Sequence, residues 1–279
     1  MRHDYLVDSP TIRGKVARGL SKSSNWEEGE KLIIRDPEYF SGWDAEDFVT
    51  NLQEFRSKFP YGLHPIIDAM CEGALSGKHL KEFLIQWWWF GAMGSEQIFP
   101  TILADMPINA DLYPIKKKII TNIYEEFYVP DVHPEINVDM ITSGCGVSRD
   151  DVYRAEIFSE TSAVVAVVER YVGKGWGEGV MSLMWSLESQ SPIQFVRQSK
   201  ALRENYGFTD TRFPDIHIEA DAEHAGDADD FARLIVTPEN MMDMWNAAAD
   251  TVMAVWNWHG GMYRRFFPNG HQSQVDKAA

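Results

Sequence analysis

Three residues that can bind a metal ion lie close together in the segment Asp215-Ile-His-Ile-Glu-Ala-Asp-Ala-Glu-His224. Each residue of an α-helix advances by about 100°, so His217, Asp221 and His224 fall within about 60° of one another on one helix face. Imidazole and carboxylate ligands without thiolate suit iron, manganese or zinc, and open positions beside such a set suit iron and O2. An acidic helix with two surface histidines would give the same pattern, so the segment needs partners from elsewhere in the chain.

A second candidate lies in the segment Asn122-Ile-Tyr-Glu-Glu126-Phe-Tyr-Val-Pro-Asp-Val-His133. We expect a helix to end before Pro130, with Glu126 in its last turn. A carboxylate at that end is mildly unfavourable against the helix dipole, which is weak evidence for a function. His133 precedes a proline, which favours extended backbone, and we expect it to reach the site from a loop. Acidic residues at helix ends are common, so this segment alone does not establish a site.

The third candidate is Glu188, which follows the apolar run Leu183-Met-Trp-Ser-Leu187. An ionised carboxylate is costly to bury in such surroundings unless it is paired or bound to a metal. A salt bridge to an arginine is the usual explanation, and a metal ion is the other.

Together the three segments resemble the haem-oxygenase-like dinuclear iron oxidases and oxygenases. The shared order is Glu-x6-His, then a glutamate in a long helix, then His-x3-Asp-x2-His. The resemblance covers roughly residues 63–265 and includes four framing segments, which are His64-Pro65, Gly73–Ser76, Gln86–Phe90 and Gly260-Gly261-Met262-Tyr263. It implies six metal ligands, which are Glu126, His133, Glu188, His217, Asp221 and His224.

The resemblance also implies a fold and an activity. The implied fold is all-α, a haem-oxygenase-like bundle of about seven core helices. The implied cofactor is two iron ions, with O2 as co-substrate. The implied activity is that of a non-haem diiron oxygenase or oxidase of specialised metabolism, acting by N-oxygenation or oxidative C–C cleavage. The family leaves room for an external electron donor and for a homodimer.

The residues near Glu188 favour a small substrate derived from an amine or amino acid. They are rich in tryptophan, methionine, serine and glutamine, and they include Trp185, Ser186, Ser189 and Gln190. Such a lining suits a compact, partly polar compound better than a long aliphatic chain. Arg154 or Arg170 would then clamp a substrate carboxylate. Core packing is the ordinary role of buried tryptophans, and it explains them equally simply.

Four other hypotheses stay open. The first is a fatty-acid oxidative decarboxylase of the same family. The second is a thiaminase-like hydrolase, which needs a nucleophilic cysteine such as Cys71. The third is a non-catalytic helical protein that binds metal. The fourth is a haem site in which His64 takes the place of the proximal histidine of haem oxygenases.

Composition and charge exclude several other classes of protein. The chain has 26 Lys and Arg against 42 Asp and Glu, a net charge of −16, so nucleic acid and anionic membranes are poor partners. No apolar run is long enough to cross a bilayer, and no signal peptide is recognisable, so we expect a cytoplasmic protein. The two cysteines, Cys71 and Cys145, cannot build a disulfide framework and lack metal-site spacing.

Helical periodicity and breaks divide the chain into three parts. Residues 1–62 are expected to form a helical extension packed on the core, residues 63–268 the helical domain, and residues 269–279 a disordered tail. The extension is predicted to contain the helices Thr11–Leu20 and Asp44–Lys58, and residues 129–150 are predicted to be a break. The helices predicted for the domain are a first one from Pro65, then Lys78–Met93, Glu96–Met106, Asp111–Tyr128, Val152–Val172, Gly177–Glu204, Asp215–Ile235 and Pro238–Phe267.

Overall fold

The computed structural model describes residues 34, 36–128 and 131–271 of the chain, with the side chains of 93–95, 219 and 221–226 left out. Within these ranges the protein is all-α, as the sequence predicts. The α-helices are α1 Ala45–Ser57, α2 Pro65–Cys71, α3 Gly77–Met93, α4 Phe99–Asp105, α5 Tyr113–Tyr128, α6 His133–Cys145, α7 Arg149–Tyr153, α8 Ser159–Val172, α9 Trp176–Val180, α10 Ser191–Tyr206, α11 Arg212–Ile235 and α12 Met241–Phe266. Short 3₁₀ helices are Pro37–Phe40, Tyr61–Leu63 and Ala110–Leu112.

Two segments of the bundle are π-helical, Gly94–Ile98 and Met181–Glu188. We name the second of these the long π-helix. It follows α9 directly, packs against α11 and α12, and ends at Glu188. π-Helical turns are rare and are frequently found at functional sites.

Helix α12 forms the centre of the bundle, because most of its length is buried. It packs against α1, α2, α8, α9 and the long π-helix. Buried hydroxyls also join it to the long π-helix. The hydroxyls of Ser182 and Thr251 lie 2.6 Å apart, and the Ser186 hydroxyl donates to the Ala248 carbonyl at 3.0 Å. Polar pairs of this kind fix the helix register, since a buried hydroxyl that lost its partner would be costly.

The helix starts at Asp44 and Pro65 are confirmed. Asp44 caps α1 in a capping box with Asp47, and Pro65 opens α2 at a position where its missing N–H costs nothing. The predicted break at residues 129–150 is wrong, because it contains α6 and the start of α7. Pro134 lies in the first turn of α6, where proline is tolerated, and buried side chains such as Met140 hold the helix on the core.

Two predicted long helices are also divided in the structure. Val152–Val172 is broken at residues 154–158, where the Gln86 side chain donates to the Glu156 carbonyl at 2.8 Å and accepts from the Phe158 N–H at 2.9 Å. These bonds satisfy the backbone without a helix. Gly177–Glu204 divides near Pro192, which lies at the start of α10 because proline cannot donate a helical hydrogen bond.

The segment before α2 packs on the helical bundle. Helix α1 contacts α11 and α12. Aromatic rings gather around Trp245 of α12, and these are Tyr39, Phe40, Trp43, Phe48 and Phe55. The predicted helix Thr11–Leu20 lies outside the described residues, and the division at residues 62 and 268 stays a prediction. Among the residues described, no helix has the length and apolar character to span a bilayer.

Candidate metal centre

Three of the six predicted ligands meet at one point in the bundle. Glu126 comes from the last turn of α5, His133 is the first residue of α6, and His217 lies in the second turn of α11. A Glu126 carboxylate oxygen lies 3.2 Å from His133 Nδ1 and 3.4 Å from His217 Nε2. One ligand atom from each residue lies within 4.8 Å of the others, which is a spacing that one metal ion can bridge. His133 reaches the site from a helix start, so its predicted loop position is wrong.

The hydrogen bond of His217 sets the orientation of its ring. Its Nδ1 lies 2.8 Å from the Phe213 carbonyl oxygen, one turn earlier in α11, so the Nδ1–H donates there. Nε2, on the other side of the ring, then faces the Glu126 carboxylate. Metal-binding histidines are commonly held in this way, with the nitrogen that does not bind the metal donating to a backbone carbonyl.

The two imidazole neighbours of Glu126 keep its carboxyl group ionised. Burial alone would raise the pKa of this carboxyl group. Hydrogen bonds to His133 and His217, together with their charges, outweigh burial and hold the pKa of Glu126 well below its usual range. The carboxylate is therefore ionised at neutral pH, which is the form that binds a cation.

His133 supplies the observation that tests the fit of a metal ion. The side chain is 2% exposed, and its Nε2 is buried with no hydrogen-bond partner among the described residues. A buried imidazole nitrogen without a partner is costly unless a ligand or ion satisfies it. Two imidazoles and a carboxylate form a donor set that suits iron. The residues present therefore fit an iron ion.

Glu188 lies on the same side of the bundle as this group. It is the last residue of the long π-helix, and its carboxylate accepts a hydrogen bond from the side-chain amide of Asn122 at 3.4 Å. Asn122 is buried on α5, one turn before Glu126. Glu126 and Glu188 also line one cavity, so both carboxylates face the same space.

The last two predicted ligands lie on α11, four and seven residues after His217. Their backbone is helical, which is the geometry that the His-x3-Asp-x2-His pattern requires. The side chains of Asp221 and His224 are outside the described part of the chain. The six-ligand assignment therefore stays a prediction, of which the structure brings three members together and places a fourth on the shared cavity.

The cavity beside the ligands has a volume of about 100 Å³. Its walls are mostly aromatic and aliphatic, as is usual for small-molecule sites, with a few polar groups. The rings are Tyr61, Trp87, Trp88, Phe90, Phe99, Phe195 and Phe213. The polar side chains are Glu126, Asn137, Glu188, Ser191 and His217. No Lys or Arg is among the described lining residues.

The predicted arginine clamp is therefore not part of this cavity. Arg170 pairs with Asp250 of α12, and Arg154 pairs with Asp150 on the surface at 3.4 Å. The tryptophan and polar side chains expected to surround the substrate also lie elsewhere. Trp185 is fully buried and donates from its indole N–H to Asp229 at 2.8 Å, which is a packing role.

Two residues on which other hypotheses depend, His64 for a haem site and Cys71 for a hydrolase, also lie outside the cavity. The Nδ1 of His64 accepts from the Ile66 N–H at 3.2 Å and so caps α2, and burial lowers its pKa to about 2. Burial likewise raises the pKa of the Cys71 thiol, which weakens it as a nucleophile. Burial raises the pKa of Cys145 to about 11.

Several residues of the site were not predicted from the sequence. Phe213, Asn122 and Asn137 each lie four residues from a predicted ligand on the same helix, and Ser191 lies three residues after Glu188. Helix spacing places such neighbours on the face of the ligand, so the signal was present in the sequence. The aromatic wall from α3 and α10 was not predictable in this way, because it depends on the packing of separate helices.

Comparison with known proteins gives a family for the chain. A family model described as "Iron-containing redox enzyme" matches residues 81–256, which contain every predicted ligand. A comparison with curated proteins gives no match.

Solved structures share the fold at low identity. A TenA homologue from Pseudomonas syringae pv. tomato DC3000 is 10% identical, with a TM-score of 0.64 over 78% of this chain and 91% of that chain. A CADD-like protein of unknown function from Nostoc punctiforme PCC 73102 is 13% identical, with a TM-score of 0.58 over 92% and 97%. A TenA homologue from P. horikoshii OT3 is 16% identical, with a TM-score of 0.55 over 77% and 99%. These likenesses establish the haem-oxygenase-like fold.

Proposed function

The chain belongs to the family of iron-containing redox enzymes, and from that membership we propose a non-haem dinuclear iron enzyme that uses O2. Its proposed substrate is a small compound derived from an amine or amino acid, oxidised at nitrogen or at a C–C bond. The observation that carries this proposal is the group Glu126, His133 and His217, of which Glu126 and His217 line the same cavity as Glu188.

We assign the ligands to the two ions by their place in the fold. Glu126, His133 and His217 would hold one ion, and Glu188, Asp221 and His224 would complete the pair. Iron bound there would supply the electrons that activate O2, which no side chain of the cavity can supply. The aromatic walls exclude water from the reacting atoms, which protects them from side reactions and strengthens the electrostatic interactions inside the cavity.

The lining supports an amine-derived substrate over an anionic one. Without a Lys or Arg in the described lining, a substrate carboxylate would find no basic side chain to pair with. A protonated amine, in contrast, can lie over the ring face of Trp87 or Phe90 and near the two carboxylates. Asn137 and Ser191 add neutral hydrogen-bonding groups that can orient a polar substrate.

One observation favours a second candidate, the fatty-acid oxidative decarboxylase. A small apolar cavity of about 10 Å³ lies behind the main one and shares Phe90, Leu183 and Leu187 with it. The rest of its lining is aliphatic, from Ile98, Val164, Val165 and Val168. Movement of the shared side chains would open a longer space, into which an alkyl chain would fit.

The proposal is tested by anaerobic Fe(II) titration followed by exposure to O2. We expect two ions per chain and an O2-dependent visible absorption that accelerates with small amines or amino acids. His133→Ala should abolish binding of the ion assigned to Glu126, His133 and His217, which we expect to be the tighter of the two, and lower O2 consumption by at least about 100-fold. The variant removes a ligand and one of the two imidazoles that contact Glu126. His79→Ala is the matched control, since His79 stacks on Phe266 away from the cavity.

Other results would separate the alternatives. Acceleration by alkanoic acids alone would support the decarboxylase. Two bound ions without O2 reactivity towards any of these compounds would support a non-catalytic metal-binding protein. An activity that is independent of iron and lost in Cys71→Ala would support the hydrolase. A wild-type chain that binds no iron would contradict the proposal itself.

A further inference from the structure

The end of the long π-helix is held by residues that precede the family match. The hydroxyl of Tyr61 donates to the Leu187 carbonyl at 2.6 Å, directly before Glu188. The Arg56 guanidinium donates to the Ser189 hydroxyl at 2.6 Å, directly after Glu188. Two side chains from the segment before residue 81 therefore bind the residues on either side of one predicted metal ligand, Tyr61 through the backbone and Arg56 through a side chain.

The same contacts extend to α11, the helix that carries the predicted ligands His217, Asp221 and His224. The Arg56 guanidinium lies 4.5 Å from the centroid of the Trp185 ring, which is a cation–π contact. The Trp185 indole N–H donates to one oxygen of Asp229 on α11 at 2.8 Å, and Gln53 of α1 donates to the other at 2.6 Å. Helix α1, the long π-helix and α11 are thereby joined by one connected polar cluster.

These contacts stabilise the end of the long π-helix. Its hydrogen-bond ladder differs from that of an α-helix, and the turn at Ser189 and Gln190 interrupts the ladder before α10 begins. The Leu187 carbonyl accepts from the Gln190 N–H at 3.2 Å across this turn, and the Tyr61 hydroxyl is its second donor. The direction of the Glu188 side chain therefore depends on contacts from outside its own helix.

We propose that Arg56 and Tyr61 are positioning residues that hold Glu188 in place for the ion shared with Asp221 and His224. The inference rests on the proposed function. It assigns a role in the metal site to a segment that lies outside residues 81–256, where the family model matches. Neither residue is proposed to contact the ion.

The test measures metal binding with Co(II), which reports its surroundings through visible absorption, under anaerobic conditions. In wild type we expect two Co(II) per chain, and in Glu188→Ala the loss of the weaker ion. Arg56→Met and Tyr61→Phe should retain the tighter ion. Both should weaken the second ion about 10- to 100-fold, with loss of its absorption band, as is typical when a group that orients a ligand is removed.

Arg233→Met is the matched control. Arg233 of α11 also pairs with α1, through Glu46 at 2.6 Å, but the pair is on the surface and does not touch the long π-helix. Its removal should leave both Co(II) affinities within about twofold, since an exposed pair contributes little. Thermal unfolding of each variant shows that the chain is folded, and Tyr61→Phe serves if Arg56→Met does not fold.

Three results would overturn the inference. If a folded Tyr61→Phe or Arg56→Met chain binds the second ion as wild type does, the positioning role is wrong while the proposed function stands. If Arg233→Met weakens the second ion equally, the effect is general to α1 docking. A wild-type chain with no second ion contradicts both the dinuclear site and the role assigned to Arg56 and Tyr61.

Discussion

At the scale of single residues, burial decides which histidines can take part in metal chemistry. His217 and His133 both contact the ionised carboxylate of Glu126, and His217 also lines the cavity. His259 is fully buried on α12, stacked on Tyr61 and near His64, and its ring nitrogens face the Val255 carbonyl and the Gln194 side chain. A buried imidazole away from any carboxylate serves packing and carries a cost that appears only in acid.

His259 predicts how stability depends on pH. Burial lowers its pKa from 6.5 to about 3, only partly offset by the hydrogen bond to the Val255 carbonyl. Below about pH 6.5 the unfolded chain gains a proton that the folded chain does not, so the folded state loses stability as the pH falls. From about pH 7 to about pH 5 the loss from this residue should be about 2 kcal/mol.

His259→Gln should remove that part of the pH dependence, as measured by urea unfolding at a series of pH values. His64 adds a similar contribution, since burial lowers its pKa as well, so the variant should become less sensitive to acid without losing all of its sensitivity. An unchanged slope in His259→Gln would show that His259 is protonated in the folded protein.

At the scale of helices, the cavity owes its space to a small residue of α3. Gly91 lines the cavity, and a Cβ built on it would meet no atom within 4 Å. Glycine in a helix costs up to about 1 kcal/mol relative to alanine. Keeping it there maintains volume beside the metal site at the expense of helix stability.

Gly91→Ala should therefore stabilise the protein by about 0.5 to 1 kcal/mol and reduce the cavity by a methyl group. The reduction should raise KM for the larger of two related substrates more than for the smaller. Chemical denaturation and steady-state kinetics measure the two effects. Gly77→Ala is the control, because it also meets no atom within 4 Å but does not line the cavity. Equal KM changes in the two variants would contradict a substrate-binding role for this wall.

The helices of the fold were largely predictable from their starts and their apolar spacing, as Asp44 and Pro65 show. The exceptions arise where a tertiary contact replaces a local signal. The Gln86 side chain on α3 makes hydrogen bonds with the backbone between α7 and α8, and no local sequence pattern predicts those bonds. Residues 129–150 contain helix-disfavouring residues, yet α6 forms because its apolar face is buried.

For the site, the group Glu126, His133 and His217 was predictable because the order of these residue types along the chain is distinctive. The cavity wall was not, because Phe195 and Trp87 meet only when α3 and α10 pack together. The contact of Arg56 with Ser189 was not predictable either, since the two residues are 133 positions apart in the chain.

At the scale of the whole molecule, the proposed metal site joins separate parts of the bundle. α5, α6 and α11 meet at Glu126, His133 and His217, and the long π-helix brings Glu188 to the same cavity. A ligand that binds only when these helices are assembled stabilises the folded state by mass action. The proposed homodimer is a separate matter and stays a prediction.

Fe(II) added under anaerobic conditions should thus raise the unfolding midpoint of the wild-type chain. At a free concentration about 100 times the dissociation constant, the gain should be about 2.7 kcal/mol for one site. His133→Ala should lose most of this gain, whereas His79→Ala should keep it. Differential scanning calorimetry with and without Fe(II) measures the difference, and an equal shift in both variants would indicate metal binding at another place.

The long π-helix has a consequence for how this gene can change. Removing one codon from the stretch that encodes residues 181–187 would rotate Glu188 around the helix axis by the turn of one residue and shift it along that axis. The apolar residues around it would still supply a core, so the bundle could survive while one predicted ligand left the cavity. The loss of three nucleotides would thus distinguish a descendant with the complete predicted ligand set from one that keeps only the fold.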